Sequence, residues 1–120
     1  MAAIHINKDE FQKKVWNYEE SPNEWKFKGD KSAIVDFYAA WCGPCKMQTP
    51  ILEQQVVPAM GGRAKICKVN VDDAKDLAVR YGVKGIPALF IFKDGQVVQQ
   101  FVGLQRGDAL VKALDAALGA

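Results

Sequence analysis

Two cysteines stand three residues apart in Trp41-Cys42-Gly43-Pro44-Cys45. Thiols so spaced suit exchange with disulfides, half of a tetrahedral metal site, or an inert structural pair. The segment before them, Ala33 to Tyr38, is a nearly continuous apolar run, which fits a central strand buried on both faces. The segment after them carries helical spacing. A thiol at such a junction faces the unpaired N–H groups and partial positive charge of a helix start. Its thiolate is stabilised and becomes a usable nucleophile near neutral pH. Cys42, at the loop edge, is the expected attacker. Cys45 is near enough to attack a mixed disulfide on Cys42 and release a substrate. Gly43 permits a tight turn, and Pro44 fits a first helical turn without losing a needed donor. A zinc site wants four ligands, usually from two such pairs. Only Cys67 and His5 remain to complete one, and Cys67 sits mid-strand. Exchange is therefore favoured over zinc or an inert pair.

Asp36 places a carboxylate inside the apolar run, which costs several kcal/mol unless the group is neutral or paired. Desolvation should raise its pKa. It is either a structural acid bonded to backbone or a proton relay that takes the Cys45 proton, through water, when Cys45 must attack. Strand parity sets Ile66, Lys68 and Asn70 on one face of the next strand, and Cys67 with Lys65 and Val69 on the other. Cys67 reads as a buried inert thiol, with a regulatory disulfide or glutathionylation as the alternative. His5 is assigned no role.

Several elements must position these groups. Ile4 and Ile6 flank His5 as a short edge strand. Asn7 and Glu10 form a capping box for a helix with Phe11, Val15 and Tyr18 on one face. Residues 19–31 break the periodicity and read as a loop, partly folded back through Trp25 and Phe27. The helix after Cys42 shows Met47, Ile51 and Val56 near helical spacing, is kinked by Pro50, and ends at Pro58 and Gly61-Gly62. Ala64 to Val71 is a strand. Asp72 or Asp73 caps a short helix through Leu77, Val79 and Tyr81, stopped by Gly82. Ala88 to Phe92 and Val97 to Val102 form a hairpin around Asp94-Gly95. Leu110, Val111, Leu114 and Leu118 line a last helix. The order βαβαβαββα predicts an α/β fold: a mixed sheet, parallel where helices cross over and antiparallel at the hairpin, with helices on both faces.

Composition agrees. The chain has 120 residues, 49% hydrophobic and 25% charged, with formal net charge +2. That is the length of one domain. The charge is too small for a nucleic-acid footprint, and no apolar stretch is long enough for a membrane span. The first residues lack the charged-then-apolar pattern of a signal peptide, although a leader already cut away would leave no trace.

Trp41-Cys42-Gly43-Pro44-Cys45-Lys46, with Pro50 in the following helix, resembles the signature of the thioredoxin family. Asp36, Lys68, Gly85-Ile86-Pro87, the Lys93-Asp94-Gly95 turn and Gly103 extend the match. It runs from about Ala33 to Leu118; the first 32 residues match only loosely. The resemblance implies the thioredoxin fold in a single domain over residues 1–120, with 19–31 as a loop insertion. It implies a protein-disulfide reductase with a redox-active Cys42–Cys45 disulfide, no cofactor and no metal. It gives Asp36 the relay role and makes Lys68 its electrostatic partner. It implies a cis bond before Pro87, packed against the cysteines, with the Ile86 backbone pairing an extended substrate peptide. Trp41, Gly43, Pro44, Ile86, Pro87, Val102 and Gly103 would form an apolar docking surface. The implied partners are disulfide-containing proteins. The electron donor is thioredoxin reductase for a cytoplasmic monomer, or a membrane thiol carrier for an exported (periplasmic) form, as insertions like 19–31 occur in exported relatives. Oxidases and isomerases of this kind commonly carry a histidine between the cysteines; Gly43-Pro44 favours the reducing side. A non-catalytic binding module is disfavoured by the intact cysteine pair with Asp36 and Lys68.

Overall fold

The computed structural model describes residues 4–5, 32–93 and 96–119. In chain order these form β1 (Ile4–His5), β2 (Ser32–Tyr38), α1 (Gly43–Ile51), a π-helical turn (Leu52–Val56), α2 (Val57–Met60), β3 (Lys65–Asn70), α3 (Lys75–Arg80), β4 (Ala88–Lys93), β5 (Gln96–Val102) and α4 (Gly107–Gly119). The expected helix from Asn7, the 19–31 loop, Ile6 and the turn residues Asp94 and Gly95 lie outside the described residues.

The strands make one mixed sheet in the order β1-β3-β2-β4-β5. β1 and β2 run parallel to β3, whereas β4 runs antiparallel to both β2 and β5. β2 is interior because its side chains are apolar on both faces; Ile34, Val35 and Phe37 are fully buried. β5 is an edge strand, exposed along most of its length.

Side-chain alternation divides the core in two. Ile34, Ile66, Leu89 and Ile91 meet Leu52, Val56, Met60, Leu110 and Leu114 from the α1–α2 run and α4 on one face. Val35, Phe37, Cys67, Val69, Phe90 and Phe92 meet Ala74 and Leu77 around α3 on the other. Helices thus cover both faces, as the element order requires. Gly107 is needed where α4 crosses the π-helical turn, because a Cβ there would collide with the Gln55 side chain.

Three local expectations are corrected. The buried side of α1 carries Cys45 and Gln48, continuing into Leu52 and Val56, whereas Met47 is exposed and Ile51 only half-buried. Pro58 does not end the helical run: it lies in the first turn of α2, where its missing donor does little harm, and Gly61 terminates the run in the left-handed region at φ 57°. Neither Asp72 nor Asp73 caps α3; Ala74 holds the cap position and makes no side-chain cap bond. Tyr81 lies just past the end of α3, Val79 is exposed, and Gly82 at φ 65° closes the turn. Pro50 lies inside α1, and the helix widens into its π-helical turn two residues later.

Gln48 takes a core position because its amide does backbone work. Its Oε1 accepts from the Gln105 N–H at 2.7 Å, and its Nε2 donates to the Gln105 carbonyl at 3.1 Å. This pair ties α1 to the segment leading into α4. Gln48→Ala orphans both backbone groups and should lower stability by about 1–3 kcal/mol. Urea titration checks this; an unchanged midpoint would mean that water replaces the amide without loss.

Candidate active site

β2 delivers the chain to a turn in which the Cys42 N–H donates to the Ala39 carbonyl at 3.2 Å. Cys42 then caps α1. Its backbone is extended, and its sulfur accepts the Cys45 N–H at 3.2 Å. The sequence places a helix donor on the candidate nucleophile, and the fold keeps it there. Cys42 and Cys45 are joined in a disulfide with a Cα–Cα distance of 5.3 Å. Both are buried, Cys45 the deeper at 2% exposure against 5% for Cys42.

The peptide bond between Ile86 and Pro87 is cis. The Ile86 carbonyl oxygen lies 3.8 Å from Cys42 Sγ, and the Ile86 side chain packs on the cysteine cluster with Ala39, Tyr38 and Val71. Pro87 is tied in turn to the end of β5, its carbonyl accepting the Gly103 N–H at 2.8 Å. Val102 pairs with Ala88 and abuts Gly85. Around this knot Trp41, Gly43, Pro44 and Val102 are exposed, Ile86 and Gly103 are half-buried, and Pro87 is buried. Trp41 is 70% exposed, yet its indole N–H is held by Asp72 Oδ2 at 2.9 Å. That is the work Asp72 does instead of capping α3. The Asp72 N–H is itself anchored on Asn70 Oδ1 at 2.8 Å.

Asp36 and Lys68 face each other across the β2–β3 ladder, on the same side of the sheet. Asp36 is completely buried, and its two carboxylate oxygens accept no hydrogen bond from the described residues. The bond a purely structural acid would need is missing there. Burial raises its pKa to about 7, against the opposing pull of the Lys68 charge. Burial lowers the pKa of Lys68, opposed by Asp36 and Glu53. The Lys68 ammonium does not hydrogen-bond Asp36: it donates to Thr49 Oγ1 and lies 4.2 Å from the centre of the Tyr38 ring.

Thr49, Gln48 and Asp72 escaped the sequence reading as site residues. Gln48 and Thr49 follow Cys45 by three and four positions, so a polar pair on the helix turn above the resolving thiol was the available signal. Cys67 is fully buried on the opposite face of the sheet from Asp36 and Lys68. Among the described residues no group of three or more His, Cys, Asp or Glu is placed to hold a metal ion, and no described helix is long and apolar enough to cross a membrane.

The comparisons with known proteins agree with this geometry. The family model described as Thioredoxin matches residues 2–116. A thioredoxin of Pseudomonas aeruginosa is 45% identical over 89 residues, covering 74% of this chain and 82% of its own. A thioredoxin of Chlamydia caviae is 46% identical over 82 residues, covering 68% and 78%. Among solved structures, a mutant thioredoxin from Halobacterium salinarum superposes with a TM-score of 0.76 at 32% identity, covering 98% of this chain and 91% of that one.

Proposed function

The chain belongs to the thioredoxin family, and from that premise we propose how its residues divide the work. The protein is a protein-disulfide reductase acting by dithiol–disulfide exchange through Cys42 and Cys45. Cys42 attacks and Cys45 resolves. The observation that carries this order is the Cys45 N–H aimed at Cys42 Sγ from the first turn of α1. A negative charge on Cys42 gains a hydrogen bond and the helix dipole.

A substrate disulfide docks on the apolar surface of Trp41, Gly43, Pro44, Ile86, Val102 and Gly103, with the buried Pro87 supporting it. An extended substrate segment pairs with the Ile86 backbone. Cys42 forms the mixed disulfide. Cys45 then loses its proton to Asp36, which burial has brought near the working pH. Lys68 moderates that acid through its charge. No cofactor takes part in this scheme, and the electrons are held by the cysteine pair. We place the protein in the cytoplasm as a single-domain monomer recharged by thioredoxin reductase; the Gly43-Pro44 pair supports the reducing role. A membrane thiol carrier would serve an exported form.

Reduced protein treated with limiting iodoacetamide near neutral pH should be alkylated at Cys42 first. Peptide mapping that finds Cys45 or Cys67 labelled ahead of it would reverse the assignment, and failure to reduce insulin would remove the function itself.

A further inference from the structure

Register pairs Lys68 with Asp36, yet hydrogen bonding pairs it with Thr49. The Thr49 hydroxyl accepts from the ammonium and donates to the Cys45 carbonyl at 3.3 Å. One side chain thus links the buried lysine to the helix turn that carries the resolving cysteine. Lys68 is only 4% exposed, so its charge has little water to turn to. Its neighbours are the Tyr38 ring, the Thr49 hydroxyl and, across the ladder, a carboxylate with neither oxygen bonded within the described residues.

We propose that Thr49 is a positioning residue: its hydroxyl holds the Lys68 ammonium on the Cys45 helix and so keeps the Asp36 carboxylate available as a proton acceptor. This rests on the reading of Asp36 as the base for Cys45. In that step the Cys45 S–H proton passes to Asp36. The Cys45 thiolate attacks Cys42 Sγ, the Cys42–Cys45 bond forms, and the bond from Cys42 to the substrate sulfur breaks. The substrate sulfur leaves as a thiolate, and the substrate disulfide has been reduced as the pair is oxidised. A carboxylate clamped by a buried ammonium would be a poor base, because a charge-assisted bond favours its ionised form. Thr49 offers the ammonium another acceptor and prevents the clamp.

Tyr38 on β2 feels the charge of Asp36, Glu53 on the π-helical turn feels that of Lys68, and the Cys42–Cys45 pair packs against Tyr38. The test uses the oxidised protein, in which Cys42 and Cys45 are joined and do not titrate. Asp36 is followed by carboxyl carbon NMR. Thr49→Val keeps the shape and removes the hydroxyl. Its ammonium should turn to Asp36 and lower the Asp36 midpoint by about one to three pH units. Thr49→Ser, which keeps the hydroxyl, should restore the parent midpoint. If Thr49→Val does not fold, Thr49→Ala gives the same contrast with Thr49→Ser. An unchanged midpoint in the folded Val or Ala variant overturns the proposal. The relay reading fails separately: it falls if Asp36→Asn reduces insulin like the parent at every pH, while the Thr49→Val shift in the oxidised protein still reads where Lys68 is held.

Discussion

Cys42→Ser should abolish insulin reduction, and Cys45→Ser should convert the protein into a trap. A serine hydroxyl at the α1 cap remains protonated at neutral pH, so the helix dipole and the Cys45 N–H have no thiolate to stabilise. Turnover should fall on the order of 10⁴-fold or more, as for other essential nucleophiles. In Cys45→Ser the first step survives. Cys42 still attacks, but nothing within reach cleaves the mixed disulfide, because Cys67 is buried on the other face of the sheet. Substrates should accumulate as covalent adducts of Cys42, released by added dithiothreitol and visible by mass spectrometry. Parent-like turnover in Cys45→Ser would show that a substrate thiol resolves the adduct.

Asp36→Asn should gain stability while losing rate. The carboxyl pKa is raised by burial from 3.8 in the unfolded reference to about 7 in the fold. An acid with a raised folded pKa holds a proton that the unfolded chain has already released. The cost of its charge is therefore nil below about pH 4, grows progressively between 4 and 7, and reaches about 4 kcal/mol above that window. The asparagine amide carries no such charge. Parent and variant should be similar in stability near pH 4 and diverge as pH rises, with the variant more stable at pH 8. Turnover should move the other way. General bases contribute about 10²–10⁴-fold, and water can substitute at a partly open site, so a loss at the bottom of that range or below it is expected. The loss should shrink with rising pH as Cys45 ionises without help. Chemical denaturation from about pH 4 to about pH 9, which spans the window between the two pKa values, reads the stability arm, and insulin reduction over the upper part of that range reads the turnover arm. A destabilised variant with parent turnover would make Asp36 a structural acid.

What could be read in the sequence follows from how local each signal is. The cysteine pair, the apolar run of β2 and the glycine at 82 are decided by near neighbours, and they stand where spacing puts them. The parity of Ile66, Lys68 and Asn70 was legible because a strand repeats every two residues. The inward face of α1 was not. Met47 is the more apolar residue, but Gln48 is buried because Gln105, distant in sequence, supplies a matching N–H and carbonyl. Asp72 looked like a cap because acids favour helix starts, and only the approach of Trp41 claims its carboxylate. The polar pair after Cys45 marks Thr49, but its contact with Lys68 depends on β3 and cannot be read locally.

Cys67 sits in β3 with a strand hydrogen-bonded on each side, its Cα opposite Ile4 in one and Val35 in the other, and has no exposed surface. In the oxidised protein the other two of the three cysteines are joined. A thiol reagent in solution can then react only with molecules whose sheet has come apart. The chain carries its own gauge of opening: the speed of labelling at Cys67 counts how often, or what fraction of, the population is open, depending on whether reagent or reclosure is faster. The same burial acts as quarantine. A protein that trades disulfides with other molecules keeps its third sulfur out of circulation while folded. On unfolding that sulfur meets the Cys42–Cys45 bond and can rearrange it, so damage to the fold is written into the pattern of disulfides.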